Sequence, residues 1–195
     1  MGRSGQSRVE DMQEEFLFAG FGGQGVMFAG QLLAYAAMEE GKEVTWIPSY
    51  GPEMRGGTAH CFVVISDRPI GSPIVRHPKV AIVFNNPSFE KYEPLVAPGG
   101  VLTVNASLVT HKTSRTDITA LEVPASDIAD ELGNLRIANL VLLGAALTVR
   151  PVLTLDAIKR ALHNHIPEHR RDTLQVNYQA LERGVEFAAA VLAAS

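Results

Sequence analysis

The sequence predicts an α/β domain of three layers, with a mostly parallel sheet and a helical last third. Three observations carry this. The apolar run Phe16-Leu17-Phe18-Ala19 feeds into Gly20-Phe21-Gly22-Gly23-Gln24-Gly25, which opens onto a helix-like stretch beginning at Val26. A second run, Val80-Ala81-Ile82-Val83-Phe84, is apolar without a break, as a central parallel strand covered on both faces must be. Beyond Ala125 the apolar residues recur at helical spacing. Strands alternating with helices, followed by terminal helices, describe an α/β domain.

Gly20, Gly22 and Gly25 fit the pattern G-x-G-x-x-G between a strand and a helix, making a Rossmann-like first βα unit. Such a turn lets the backbone approach a phosphate, and the helix N-terminus offers free N–H groups to an anion. The same glycines serve equally well in a turn kept only for packing. A dinucleotide site also needs an acid at the end of the second strand, about 20 residues on. Here that strand ends in Ile47-Pro48-Ser49-Tyr50, and Glu43 stands at its start. Gly22, Gly23, Gln24 and Gly25 are therefore read as a cofactor-binding or interface loop, without an NAD assignment.

The elements follow in order. A strand over 15–20 leads to a helix over 25–39, stopped by Gly41. Gln31 is nearly the only polar residue of that helix, so it should be buried on several sides. One side can meet the sheet, and a partner subunit is the natural cover for the other. Strands are expected at 43–47, 58–65, 80–84 and 101–105, each a short β-branched or aromatic run bounded by Gly, Pro or Asn. Asp67 to Pro73 is a turn-rich excursion expected to end in a short antiparallel edge strand. Helices are expected over 125–132 and 134–149, separated by Gly133. Two more follow, over 155–165 capped by Thr154 and over 173–193 capped by Asp172. In the last helix Leu174, Tyr178, Leu181, Val185, Ala188 and Leu192 form the expected core stripe.

Composition narrows the function. A chain of 195 residues is expected to form one domain, 13–195, after a small polar tail, 1–12, that lacks the apolar core of a signal peptide. With 46% hydrophobic and 19% charged residues, the profile is globular and apolar for a free monomer. A net charge of −4 with no basic run argues against nucleic acid. The longest apolar run, Leu140 to Val149, is far short of the roughly 20 residues of a membrane span, so no membrane partner and a cytoplasmic location are expected. Cys61 is the only cysteine. It can form no internal disulfide and cannot hold an iron–sulfur cluster, which takes about four thiolates. Cys61 and His60 adjoin within a strand, so alternation sends them to opposite faces and a dyad is not expected. His163, His165 and His169 match no familiar ligand spacing and read as a solvated helix end, so no metal is assigned. No nucleophile–base pair stands out, so no catalytic residue is assigned either.

A second motif follows the second strand: Ser49-Tyr50-Gly51-Pro52-Glu53-Met54-Arg55-Gly56-Gly57. Taken with Gly22-Gly23-Gln24-Gly25, it resembles the γ subunit, or γ domain, of the 2-oxoacid:ferredoxin oxidoreductases. The resemblance runs from about Glu15 to about Ala188. It includes Val80 to Pro87 and the segment at Gly133-Asn134, and lies closest to the 2-oxoglutarate branch. It implies a subunit of an enzyme complex that converts a 2-oxoacid and coenzyme A to acyl-CoA and carbon dioxide while reducing ferredoxin. It further implies α, β and ferredoxin-like δ partners that carry thiamine diphosphate, Mg and iron–sulfur clusters. Coenzyme A is then the co-substrate, ferredoxin the electron acceptor, and the isolated chain inactive. Tyr50, Glu53, Arg55, Gly56 and Gly57, with Asn85 and Asn86 at the end of a central strand, become the active-site-edge or interface loops. Two other readings remain at this point: a stand-alone nucleotide-binding protein, and a purely structural assembly subunit.

Arg55 carries the first testable expectation. It stands in a Pro/Gly-framed loop where neither sheet nor helix needs its charge, and its planar fork suits a carboxylate or phosphate. A charge-assisted hydrogen bond is worth about 1.5–3 kcal/mol, whereas a solvated pair with Glu53 is worth under about 1 kcal/mol. Arg55→Ala is expected to melt normally in isolation, yet to weaken subunit association or raise the KM for coenzyme A in the complex. Kinetics and size-exclusion chromatography of the assembled variant check this.

Overall fold

Residues 12–51 and 58–194 are described by the computed structural model. Its strands are β1 (Gln13–Phe21), β2 (Glu43–Tyr50), β3 (Thr58–Ser66), β4 (Val80–Val83), β5 (Val101–Asn105) and β6 (Thr119–Val123). They form one sheet in the order β2-β3-β1-β4-β5-β6. β1, β4, β5 and β6 pair in parallel, while β3 runs antiparallel to both β1 and β2. Five strands thus share one direction and the sheet is mostly parallel. The excursion after Asp67 forms no strand. The antiparallel strand is β3, inside the sheet, and the edges are β2 and β6. β6 was not foreseen: only Leu121 and Val123 of its five residues are buried, which leaves a weak apolar signal.

The period-2 alternation of strand side chains divides the core. Phe16, Phe18, Cys61, Val63, Ile82 and Leu121 face a thick helical layer. It comprises α1 (Val26–Glu39), α3 (Ala125–Glu131), α4 (Ala138–Val149), α5 (Leu155–His165) and α6 (Leu174–Ala193). Leu17, Ala19, Ala81, Val83, Leu102 and Val104 face the opposite side, covered by Phe89 and Tyr92 of α2 (Asn86–Tyr92) and by Val96 and Val109. The three layers are therefore unequal. Val80 to Val83 are fully buried because both layers meet over β4.

Two features of α1 were unforeseen. Its second side is covered in part by the chain's own α5. Leu32 is buried, Tyr35 stacks on His165 with ring centroids 3.9 Å apart, and Glu39 accepts from Asn164 Nδ2 at 3.1 Å. His165 Nε2 also lies 2.9 Å from Glu39, so this histidine links α5 to α1 while remaining exposed at the helix end. Phe28 and Met38 remain exposed.

The caps and the last stripe need similar adjustment. Thr154 caps α5 as expected, its Oγ1 accepting from Ala157 N at 3.1 Å. Asp172 does not cap α6. It lies inside a 3₁₀ turn, Glu168–Thr173, and the residue before the helix is Thr173. The buried face of α6 is Asn177, Ala180, Leu181, Gly184 and Ala188, while Leu192 is exposed. Packing against α4 turns the helix this way. A Cβ on Gly184 would lie 2.0 Å from the carbonyl oxygen of Val141, and one on Gly144 would lie 2.2 Å from that of Leu181. The two backbones approach too closely for any side chain between them, and the small residues set the facing stripe.

Gly184→Ala must separate α4 from α6, because backbone cannot yield as a flexible side chain can. We expect it to cost at least about 2 kcal/mol. Gly71→Ala, where an added Cβ meets nothing within 4 Å, should stay within about 0.5 kcal/mol. Urea titration of the two variants measures the difference.

Candidate functional site

Parallel strands place their carboxyl ends at one edge of a sheet, where open α/β sheets hold ligands. Here the ends of β1, β4, β5 and β6 share that edge. The chain leaves β1 at Phe21, turns through Gly22 to Gly25, and enters α1. Gly23 has φ +96° and Gly25 φ +77°, the left-handed region that side chains disfavour. Gln24 ties the turn together. Its N–H donates to Phe21 O at 3.2 Å, and its Oε1 accepts from Phe21 N at 2.7 Å and from Asn85 Nδ2 at 3.2 Å. The side-chain amide oxygen of Gln24 is thus spent inside the chain.

Asn85 does the work of a cap. It precedes α2, and its Oδ1 accepts from Ser88 N at 2.9 Å while its amide reaches Gln24. Asn86 turns elsewhere: its Oδ1 accepts from Thr110 N at 2.9 Å, and its Nδ2 donates to Thr110 Oγ1 at 3.2 Å. Tyr50 ends β2 and is 67% exposed. Glu53, Arg55, Gly56 and Gly57 lie outside the described residues. Their flanks are placed, however. Thr58 pairs with Phe21 in the β1–β3 ladder, and Gly51 N donates to Thr58 O at 2.8 Å. The chain between Gly51 and Thr58 leaves and rejoins the sheet at the edge that carries the glycine loop.

The helix behind that loop is left open. Asn85 and Thr154 cap α2 and α5 with side chains, whereas α1, which follows Gly25, shares with α3, α4 and α6 the lack of a side-chain cap and has no acid in its first turn. Its leading N–H groups have no partner within the helix and carry the positive end of the helix dipole. Gly23, Gly25 and Phe28 border a cleft of about 310 Å³. One wall comprises Asn134, Arg136 and Asn139 at the approach to α4; the other comprises Arg170, Thr173 and Asn177 at the approach to α6. Phe28, Ile137, Leu140 and Ile166 contribute apolar surface. Among the described residues neither Arg136 nor Arg170 forms an ion pair. The combination suits an anionic group attached to an apolar body.

Sequence reasoning did not find these wall residues, because the two walls lie far from the glycines along the chain. Asn139 was nonetheless discoverable. It is the first polar residue inside a helix that is otherwise apolar to Leu147, and a buried amide requires a partner. That partner is Gly25: Asn139 Nδ2 donates to Gly25 O at 3.1 Å.

Other candidates separate. Cys61 is fully buried beneath Gly30, and burial pushes its thiol up to about 12. His60 lies on the opposite face between Phe62 and Tyr92; burial, and then Lys91, lowers its pKa. The two form no dyad. Among the described residues no three His, Cys, Asp or Glu side chains converge as metal ligands. No described helix is long and apolar enough to cross a membrane.

A six-stranded mixed sheet with the glycine-loop cleft at its carboxyl edge defines a γ-type α/β domain. The chain belongs to the pyruvate ferredoxin/flavodoxin oxidoreductase family, which matches residues 15–187. It is 36% identical over 180 residues to the 2-oxoglutarate synthase subunit KorC of Methanocaldococcus jannaschii, covering 91% of this chain and 95% of that one. It is 39% identical over 171 residues to the ketoisovalerate oxidoreductase subunit VorA of Methanothermobacter thermautotrophicus, covering 87% of this chain but 35% of VorA. The chain thus spans about a third of that longer relative. The crystal structure of a keto/oxoacid ferredoxin oxidoreductase γ subunit from Geobacter sulfurreducens matches with a TM-score of 0.77 at 31% identity, covering 91% of this chain and 99% of that one.

Burial makes a simple prediction for the lone thiol. With its pKa raised, Cys61 is protonated at pH 8 and sealed from solvent. Thiol labelling at that pH should be absent in the native chain and stoichiometric in denaturant.

Proposed function

We propose that this chain is the γ subunit of a multi-subunit 2-oxoglutarate:ferredoxin oxidoreductase of the cytoplasm, folded as one domain over 13–195. In this reading the glycine-loop cleft borders the coenzyme A path. Partner α, β and ferredoxin-like δ subunits hold thiamine diphosphate, Mg and the iron–sulfur clusters. The overall reaction joins the acyl group of the 2-oxoacid to coenzyme A, releases carbon dioxide and passes two electrons to ferredoxin. The substrate assignment is supported by KorC, which matches over nearly its whole length. The placement of the cleft is supported by one observation: Gly23 and Gly25 of the glycine loop line the same space as Arg136 and Arg170, which form no ion pair among the described residues.

The chemistry asked of this chain is binding rather than bond-making. Coenzyme A carries phosphates on an otherwise partly apolar body. Arg136 and Arg170 supply planar, permanently charged donors for phosphate oxygens. The first-turn amides of α1 add fixed dipoles that need no reorganisation. Phe28 and Ile166 give the apolar portion a surface. No step of decarboxylation or electron transfer is assigned to residues of this chain.

In the assembled enzyme, Arg136→Ala and Arg170→Ala should each raise the KM for coenzyme A about tenfold, with kcat little changed, as expected when a charge-assisted contact of about 1.5 kcal/mol is lost. The isolated chain should be inactive. Steady-state kinetics at varied coenzyme A check both statements. An unchanged KM would leave the chain as an assembly subunit.

A further inference from the structure

The amides of Asn134, Asn139 and Asn177 line the cleft, and they differ in what their oxygens do. Asn134 Oδ1 accepts from Arg136 N at 3.1 Å, and Asn139 Oδ1 accepts from Leu140 N at 3.0 Å. Asn177 is 6% exposed, and its Nδ2 donates to Thr173 Oγ1 at 3.3 Å. A second bond fixes which end of that amide is which. The Thr173 hydroxyl gives its proton to Arg170 O at 2.7 Å, so its oxygen is left only to accept. The NH₂ end of Asn177 must therefore face Thr173; the flipped amide would set oxygen against an oxygen with no proton to offer. Asn177 Oδ1 is the end turned away, and among the described residues it has no hydrogen-bond partner. Nor is it sealed among apolar atoms, as the unpartnered hydroxyls of Thr45 and Thr103 are. The open space that this residue lines is the cleft, on the same wall as Arg170 and Thr173.

A buried acceptor needs a donor, and here only something entering the cleft can supply it. Phosphate oxygens answer the arginines, which are donors alone, but they cannot answer this oxygen. We propose that Asn177 is a ligand-binding residue: its Oδ1 accepts from an N–H or O–H group on the same molecule whose phosphates meet Arg136 and Arg170. The inference rests on the reading above, that the cleft borders coenzyme A. Coenzyme A carries such donors in the amino group of its base and in its pantetheine amides. A site built to pair a ligand N–H also selects against ligands that lack it, because the acceptor is then desolvated without a partner. A purely structural role makes a different prediction. If Asn177 only ties α6 to Thr173 and its oxygen meets water, removing the amide changes stability and leaves ligand affinity alone.

The test is kinetics of the assembled enzyme carrying Asn177→Leu, which keeps the bulk, and Asn177→Ala, which leaves room. Arg136→Ala serves as the control for the reading itself. KM and kcat for coenzyme A are measured together with the melting temperature. Both Asn177 variants are expected to raise KM about fivefold, the loss of one hydrogen bond, with kcat within about twofold. Etheno-coenzyme A, whose base amino group is closed into a ring and has no N–H to give, locates the donor. If the partner is the base, the Asn177 variants raise KM for coenzyme A but not for the etheno analogue; if it is a pantetheine group, they raise both alike. If Arg136→Ala raises KM while both Asn177 variants change only the melting temperature, the binding role is overturned and the cleft assignment stands. If none of the three moves KM, the cleft assignment fails and the binding role with it.

Discussion

The contact on which the rest of the structure depends is the crossing of α4 and α6. Gly144 and Gly184 let the backbones meet at a distance that no side chain could share. α4 is buried from Ala138 to Leu147, lying between the sheet and α6, so its position is set from both sides. Once the crossing is fixed, so are the two approaches to it. The approach to α4 carries Asn134, Arg136 and Asn139, and the approach to α6 carries Arg170 and Thr173, with Asn177 in its first turn. These are the walls of the cleft. A packing constraint in the core thereby sets the spacing of polar groups at the surface.

Sequence patterns that act locally were readable, and those that depend on distant packing were not. β1, α1 and β4 announce themselves through uninterrupted apolar runs and a glycine turn. The cap at Thr154 is a one-residue signal with a one-residue consequence. β6 offers two buried side chains on an edge strand, too few to outweigh its polar neighbours. The stripe of α6 was placed in part: Leu181 and Ala188 are buried and Leu174 and Tyr178 pack against the core, but Leu192 is exposed, and Gly184, which meets α4, was not foreseen. α1 was read as needing a partner subunit because α5, more than a hundred residues later, could not be placed against it. The candidate site divides likewise: its glycines are a motif, whereas its arginines are brought to it by the helix crossing.

Amide side chains hold the carboxyl edge together. Gln24 and Asn85 join the first two loops, Asn105 bonds Ser126 at the start of α3, and Asn139 reaches Gly25. An amide offers both donor and acceptor without a charge to desolvate, so it can be buried where an ionised group would cost far more. The Glu14–Arg150 ion pair, at 2.7 Å, belongs to the start of β1, at the opposite edge. Arg136 and Arg170 remain uncommitted beside the open helix end.

The inserted β3 brings the ends of two motifs about thirty residues apart to the same edge of the sheet. In a plain right-handed βαβ unit the strand after α1 would lie beside β1 and run parallel to it. Here β2 stands one place further out, and β3 returns antiparallel between them. The return brings Thr58 opposite Phe21, immediately before the glycine loop, and Gly51 is held to Thr58 by its N–H. Whatever conformation residues 52–57 take, both of their ends start from the strand position that launches Gly22 to Gly25. An acid at the end of β2, the usual mark of a dinucleotide site, would here stand a strand away from the glycine turn. The polar groups that the described residues do place at this edge are those of the glycine loop and the side chains delivered by the approaches to α4 and α6.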